Sequence, residues 1–456
     1  ESQERMTVSV RPEDEDRFMA LSEKHAVEST VIGKYTDSGK LHITYDGVTC
    51  AYVDMDFLTR GFPQWEFDAE WRSPEMRGLY EPVMGEPRDY NRLLTDLLAR
   101  PNICSREWII RQYDHEVQGT SVIKPLVGAD RDVNSDASVI RPVLTSEQGL
   151  AFSQALLPFY SAIDAFHMTA CTIDEAVRRL VAVGGDPEHI GGVDNFCWPN
   201  IQYDPVRNPD GRFKAAQLVR SCRALAQTCG VYGIPLLSGK DSMYVDGHLA
   251  GAYGETHKLS APETMQFSAV SVVKDIASCV TLDIKCPGDL VYVLGVTKDE
   301  LGASEYYDRF GYTGCNVPVV DARKHWLLYK DLHAAMEKGL TASVHGIYRG
   351  GLGVHLAMCA MAGNLGIRAD IGKTPGAEGL RPDHLLFSET PGRFVVSVAP
   401  ESREDFASMM KDHALACIGE VTKAPRLDLS CGAEALVSVP VADLKASWKA
   451  PFGQLV

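Results

Sequence analysis

ESQERMTVSVRPE (residues 1–13) and SETPGRFVVSVAPE (residues 388–401) spell one pattern twice. In register, Arg5 falls on Arg393, Val8 on Val396, Ser9 on Ser397, Val10 on Val398, Pro12 on Pro400 and Glu13 on Glu401. The match continues through the next expected helix, where Phe18 meets Phe406 and His25 meets His413. A two-residue gap then sets IGKYT (32–36) over IGEVT (418–422), with Leu41 and Ile43 on Leu427 and Leu429. Similarity sustained through a strand, a helix and a strand is the mark of a duplicated domain. It decides the fold class: mixed α/β (α+β), written twice.

The later copy has structured-looking sequence in front of it, from CPGDLVYVLG (286–295) onward, whereas the earlier copy has nothing in front of Glu1. A domain without its first strands and helices would expose the apolar faces they cover, and small domains have little stability to spare. Residues 1–60 therefore read as the remnant of a first copy. The chain reads as the C-terminal part of a longer duplicated protein.

The 456 residues suit on the order of two to four domains. A hydrophobic share of 45% is ample for buried cores. No run approaches the ~18 consecutive apolar residues of a membrane span, so a cytoplasmic protein without membrane partners is expected. The net charge of −16 argues against nonspecific nucleic-acid binding, which needs dense Lys/Arg surfaces. The 12 cysteines are scattered without a C-x-x-C pair and read as reduced structural thiols.

After the remnant, residues 61–90 show no sustained period and read as a linker. Residues 91–275 alternate helix and strand. CTIDEAVRRLVAVGGDP (171–187) is expected to be a helix with Thr172 as N-cap, Glu175 completing a capping box and Gly184 as the stop. HIGGV (189–193) reads as a short strand leading into DNFCWPN (194–200). FKAAQLVRSCRALAQTCG (213–230) reads as a second helix, followed by a buried strand YGIPLL (232–237) and then SGKDSMY (238–244). Residues 276–456 repeat the style, with a helix at 322–339, a strand at 342–347 and a glycine-led helix at 350–363.

Several stretches carry possible chemistry. In SGKDSMY, Gly239 would let backbone N–H groups approach a phosphate, Lys240 adds positive charge, and Asp241 or Ser242 can reach Mg²⁺ or a hydroxyl. It is not a Walker A loop, and an ordinary polar turn explains the same residues. Asp194 and Asn195 are placed after a strand end, a ligand position in mixed sheets or simply an Asx turn. Glu175 and Arg179 are four apart and suggest a surface ion pair of ~0.3–0.5 kcal/mol. RQYDHEVQG (111–119) reads as a polar domain entrance or a His–Asp pair. HGIYRGGLG (345–353) reads as an anion-binding turn or as close strand–helix packing.

Taken in order, RQYDHEVQGTSVIKPLVG, DEAVRRLVAVGGDP, VDNF, PLLSGKDSMY, GGLGVHLA and FSETPGRFVVSV resemble formylglycinamide ribonucleotide amidotransferase, also called phosphoribosylformylglycinamidine synthase. That family belongs to the aminoimidazole ribonucleotide (AIR) synthetase-like superfamily. The resemblance implies a duplicated architecture in which N-domains pair into a central barrel, each followed by an α/β C-domain. On that layout residues 1–60 are the tail of a first C-domain, 91–275 the second N-domain and 276–456 the second C-domain.

The activity implied is an ATP-dependent C–N ligase of purine biosynthesis. It joins glutamine-derived ammonia to formylglycinamide ribonucleotide through a phosphorylated amide, with ATP and Mg²⁺ as cofactors. Carried over by motif, Glu1, Ser2, Gln3 and Ser242 contact the ribonucleotide, while Asp194, Gly239 and Lys240 lie at the ATP. Lys240 departs from the asparagine of stand-alone bacterial subunits, and an ammonium cannot ligate a cation.

The family's auxiliary Mg-nucleotide site is degenerate here. Glu175 is kept, but Arg179 replaces an asparagine and Gly346 an aspartate, so the site is expected to be vacant or to hold an anion. The histidine-rich E-T-H-N-H motif of the first half is absent, as is a glutaminase nucleophile. The implied partners are the missing N-terminal half and a glutaminase domain or subunit, and the chain alone is expected to be inactive. The competing readings are another superfamily enzyme, such as a selenophosphate synthetase or a thiamine monophosphate kinase, and a noncatalytic nucleotide-binding scaffold.

Overall fold

A computed structural model describes residues 3–455, so Glu1 and Ser2, two expected substrate contacts, lie outside the described residues. The chain divides into two units, residues 1–66 and 67–456.

In the first unit Pro12 opens a short 3₁₀ turn that runs into α1 (Glu15–Lys24). A hairpin follows, β1 (Lys40–Tyr45) against β2 (Val48–Asp54), and then α2 (Met55–Arg60). Asp46 and Gly47 link the strands, both at positive φ (46° and 76°), as a two-residue type I′ turn requires. The pairing runs from Lys40↔Asp54 to Tyr45↔Val48 and slips by one residue between Ile43 and Thr44.

The second unit holds two large sheets. The first contains β3 (Ser121–Ile123), β4 (Ser138–Ile140), β5 (Gly149–Leu156), β6 (Ile190–Cys197), β7 (Leu236–Ser242) and β8 (Thr264–Val273), in the order β3-β4-β5-β8-β6-β7. Strands β5, β6 and β8 alternate buried with partly or fully exposed residues, because one face is covered by α3 (Ala165–Ala182), on which α4 (Gly211–Tyr232) packs in turn. Helix α4 is the crossover between β6 and β7, the parallel pair of this sheet.

Here the structure corrects four sequence expectations. Helix α3 starts seven residues before Thr172. Asp164 is its N-cap, accepting from the Phe166 N–H, while the Thr172 hydroxyl donates to the Met168 carbonyl inside the helix. The apolar stripe extends upstream through Ala165 and Met168, and this longer buried face overrides the local capping-box pattern. Asp194 and Asn195 sit within β6 rather than after it, and Gly239 to Ser242 within β7 rather than in a loop. The strand expected to be buried is exposed at Leu236 and Leu237, because β7 is an edge strand. Finally, Glu175 and Arg179 are paired as expected, but the Glu175 carboxylate is buried rather than on the surface.

The second sheet contains β9 (Leu290–Leu294), β10 (Ser343–Gly346), β11 (Gly366–Asp370), β12 (Phe394–Val398), β13 (Leu415–Thr422), β14 (Arg426–Cys431) and β15 (Glu434–Pro440). Their order is β10-β12-β9-β13-β11-β14-β15. Helices α5 (Ala322–Glu337) and α6 (Gly351–Gly363) belong to this part. Gly350 and Gly351 enter α6 at φ 89° and 75°, and a Cβ at Gly351 would stand 2.6 Å from the Leu386 carbonyl oxygen. Close packing thus requires these glycines. The two sheets meet through α3, where one oxygen of the fully buried Asp174 takes Tyr232 Oη, Tyr329 Oη and His325 Nδ1 at 2.7–2.8 Å.

Within the 61–90 stretch, residues from Phe67 onward belong to the second unit. Trp71 stacks on Phe213 at 5.5 Å, with the Arg220 guanidinium 4.1 Å from the Trp71 ring. Arg77 donates to the Ala162 carbonyl at 2.7 Å, and Glu81 accepts from the Cys315 N–H at 2.7 Å.

Candidate functional site

The parallel pair β6 and β7 brings the expected nucleotide residues together. Asp194 lies beside Gly239, Asn195 beside Lys240, Phe196 beside Asp241 and Cys197 beside Ser242. Side chains alternate across a sheet, so the set divides between two faces. Asp194, Gly239 and Asp241 share one face, whereas Asn195, Lys240 and Ser242 share the other, where Lys240 Nζ bonds Ser242 Oγ.

Asp194 is buried, and burial pushes its carboxyl above the ordinary value, with the charge of Asp241 adding to the effect. A Cβ at Gly239 would stand 3.1 Å from both Asp194 carboxylate oxygens. The missing side chain therefore lets the Asp194 carboxylate lie close against the neighbouring strand. Two neighbouring carboxylates are hard oxygen donors suited to a divalent cation that takes its other ligands from phosphate and water. Among the described residues, no group of three or more His, Cys, Asp and Glu side chains could hold a metal on its own.

The second place is a cavity of about 420 Å³ lined by Glu175, Arg179, His345, Tyr348, Arg349 and His355, among others. Arg179 donates from Nε and Nη2 to one Glu175 oxygen at 3.0 and 2.8 Å, and its guanidinium lies 4.0 Å from the Tyr348 ring centroid. Gly346 offers no ligand: a Cβ there would meet Tyr348 at 2.2 Å, and its N–H donates to Asp136 Oδ1 at 3.1 Å. Asp136 also accepts from Tyr348 Oη at 2.5 Å, and its other oxygen meets His345 Nδ1 at 2.8 Å. Burial works against the Asp136 charge, but His345 and the hydrogen bonds outweigh it and hold the carboxyl below its ordinary value. One Glu175 oxygen is taken by Arg179, whose guanidinium lies in the cavity, and the adjacent Asp136 is taken by His345, Tyr348 and Gly346, so this cavity does not fit a divalent cation.

Sequence reasoning missed Asp136 and His355. Asp136 carries no local signal, since its partners lie more than two hundred residues away, at 209 and 212 residues' separation. His355 stands four residues after Gly351 in the glycine-led helix, inside a quoted motif but read as core. The 111–119 stretch forms no His–Asp pair: Asp114 accepts from the Glu116 N–H, and the His115 ring reaches the Tyr113 carbonyl. Gln3 is exposed in a turn.

The family model for the AIR synthase related protein C-terminal domain matches residues 1–46 and 286–432. Phosphoribosylformylglycinamidine synthase subunit PurL of Thermococcus sibiricus is 31% identical over 93% of this chain and 54% of its own length. The Methanocaldococcus jannaschii subunit is 30% identical over 100% of the chain and 59% of its own length. Among solved structures, T. maritima PurL complexed with FGAR superposes with a TM-score of 0.58 at 18% identity, over 79% of this chain and 54% of that one. The PurLQS structure from Thermotoga maritima gives 0.55 at 18% identity, over 83% and 54%. The chain spans about half the length of the curated relatives it matches. Along nearly its whole length this chain is similar in sequence to phosphoribosylformylglycinamidine synthase subunit PurL, and it shares the fold of the solved PurL structures.

Proposed function

We propose that this chain is the nucleotide- and substrate-contacting part of an ATP-dependent C–N ligase that converts formylglycinamide ribonucleotide and ammonia to formylglycinamidine ribonucleotide. The observation that carries the reading is the β6–β7 register, which sets Gly239 beside Asp194 and Lys240 beside Asn195. The relatives' names and the FGAR- and ADP-complexed T. maritima PurL structures support it. ATP, when bound, supplies the phosphoryl group that activates the amide oxygen. Gly239 lets the Asp194 carboxylate lie against the strand, where with Asp241 it would hold Mg²⁺, and Lys240 offers positive charge and a donor on the opposite face. Positioning and charge neutralisation of this kind are what phosphoryl transfer asks of a protein.

Ser242 is the residue proposed to reach the ribonucleotide from the open face of the sheet, with Glu1, Ser2 and Gln3 as further contacts. The partners proposed are the remaining half of the synthase, whose N-domain would close the barrel, and a glutaminase that feeds ammonia. The domain division proposed is 1–60, 91–275 and 276–456, in a cytoplasmic enzyme. The Glu175–Arg179–Gly346 cavity is proposed as an auxiliary site that has lost its metal.

The test is ammonia-dependent ADP formation from ATP and formylglycinamide ribonucleotide, with this chain alone and with a polypeptide supplying the other half. Turnover only in the mixture is expected. Gly239→Val should reduce it by at least about tenfold, roughly 1.4 kcal/mol. An assembled mixture whose turnover ignores both Gly239→Val and Asp194→Asn would make the chain a scaffold.

A further inference from the structure

His345 on β10 and His355 on α6 are buried side by side. His345 Nδ1 is 2.8 Å from Asp136 Oδ2, His345 Nε2 is 2.9 Å from His355 Nδ1, and His355 Nε2 is 3.1 Å from the Arg349 carbonyl oxygen. The row begins at a carboxylate and ends at a carbonyl, and both can only accept. Three hydrogen bonds in such a row need three protons on the four ring nitrogens. Two neutral imidazoles carry only two.

We infer that His345 and His355 share three protons, forming a built-in monocation that pins the Asp136 loop of the first sheet to β10 and α6, and that release of the extra proton is a pH switch for this contact. His345, the ring against the Asp136 carboxylate, is the one to carry the charge. Burial, then the His345 charge, pushes His355 well below the ordinary histidine value, with Arg179 and Arg178 of α3 acting in the same direction. His345 therefore donates from both nitrogens, to Asp136 and to His355 Nδ1, and His355 donates from Nε2 to Arg349.

The other ionisable groups around the pair are accounted for. Glu175 is taken by Arg179, Arg349 by Glu305 and Glu389, and the Tyr348 hydroxyl by Asp136. Burial, with Asp136 adding, keeps the α6 thiol Cys359 protonated. Asp136 is thus the anion that the extra proton answers. When that proton leaves, one of the three bonds fails and Asp136 loses its cation, which loosens the contact between the sheets.

The pair is read by ¹⁵N NMR on the full chain labelled at histidine. At pH 7 one ring should show both nitrogens protonated, and a second ring a single proton on Nε2. As pH rises further, both rings should become neutral together with loss of amide protection around Asp136 and Gly346. Asp136→Asn should remove the doubly protonated ring at pH 7. Two neutral rings in the wild type at pH 7 would overturn the inference. So would titration of the charged ring with no change in protection at Gly346, a result readable without any variant.

Discussion

The hairpins at 40–54 and 426–440 are the same object in two surroundings. Adding 386 to each residue of β1 and β2 gives β14 and β15, end for end. The registers agree as well: Lys40↔Asp54 becomes Arg426↔Pro440, and the slip at Ile43/Thr44 recurs at Leu429/Ser430. Burial differs completely. Leu41 and Ile43 are 40% and 48% exposed, whereas Leu427 and Leu429 are 0% and 2%. In the later copy β11 runs parallel to β14, pairing Ile367 with Leu427.

The sequence segments that match β12 and β13, residues 6–10 and 32–36, are not strands. The neighbours of β12 and β13 are β10, β9 and β11, which have no counterpart within residues 1–66. A hairpin carries its partner in its own loop; an inner strand does not.

The contrast can be broken most directly at its apolar residues. Leu427→Ala should destabilise the second unit by about 2–5 kcal/mol, through lost burial and a cavity. Leu41→Ala should cost under about 1 kcal/mol. Both are measured by amide exchange within each hairpin, and equal costs would mean that the first hairpin is covered too.

The turns sharpen the comparison, since they differ while the register is kept. Asp46–Gly47 has two positive φ values, whereas the later turn has Gly432 at 57° and no positive φ at Ala433, as in a type II′ turn. Gly47→Ala and Gly432→Ala should each cost about 1–2 kcal/mol of hairpin stability, because left-handed backbone strain is local and indifferent to burial. Unequal costs would tie turn strain to the sheet around it.

A third test uses pH. Asp194 is raised in the folded state, so folding binds a proton more tightly than the unfolded carboxyl, whose value is ~3.9. The stability of the second unit should therefore fall as pH rises from about 4 through the folded value. Asp194→Asn should abolish that part of the profile in thermal unfolding, while exchange protection in the first hairpin stays unaffected. The smallest effect is expected for Lys40→Ala, which removes an exposed 2.5 Å pair with Asp54. Hairpin exchange should hardly change.

What the sequence disclosed follows the same division between local and distant causes. The repeat, the helix at 322–337 and the glycine-led helix were legible because periodicity and turn residues act over a few positions. SGKDS looked like a loop because Gly, Lys, Asp and Ser suit turns. It is a strand because β6 supplies a parallel partner across a crossover of more than thirty residues, from Cys197 to Leu236. The N-cap was misplaced because the capping-box pattern at Thr172 is a local match inside a helix whose buried face begins at Ala165. The Asp136 network was invisible, since nothing near position 136 announces a histidine at 345.

The shared slip at Ile43/Thr44 and Leu429/Ser430 makes the two hairpins interchangeable parts. A side chain changes face with every one-residue shift of register, so two ribbons with the same length and the same slip present the same faces at both ends. Residues 40–54 could be spliced in place of 426–440 without trimming or padding the junctions, and the chimera would deliver Leu41 and Ile43 to the seats of Leu427 and Leu429.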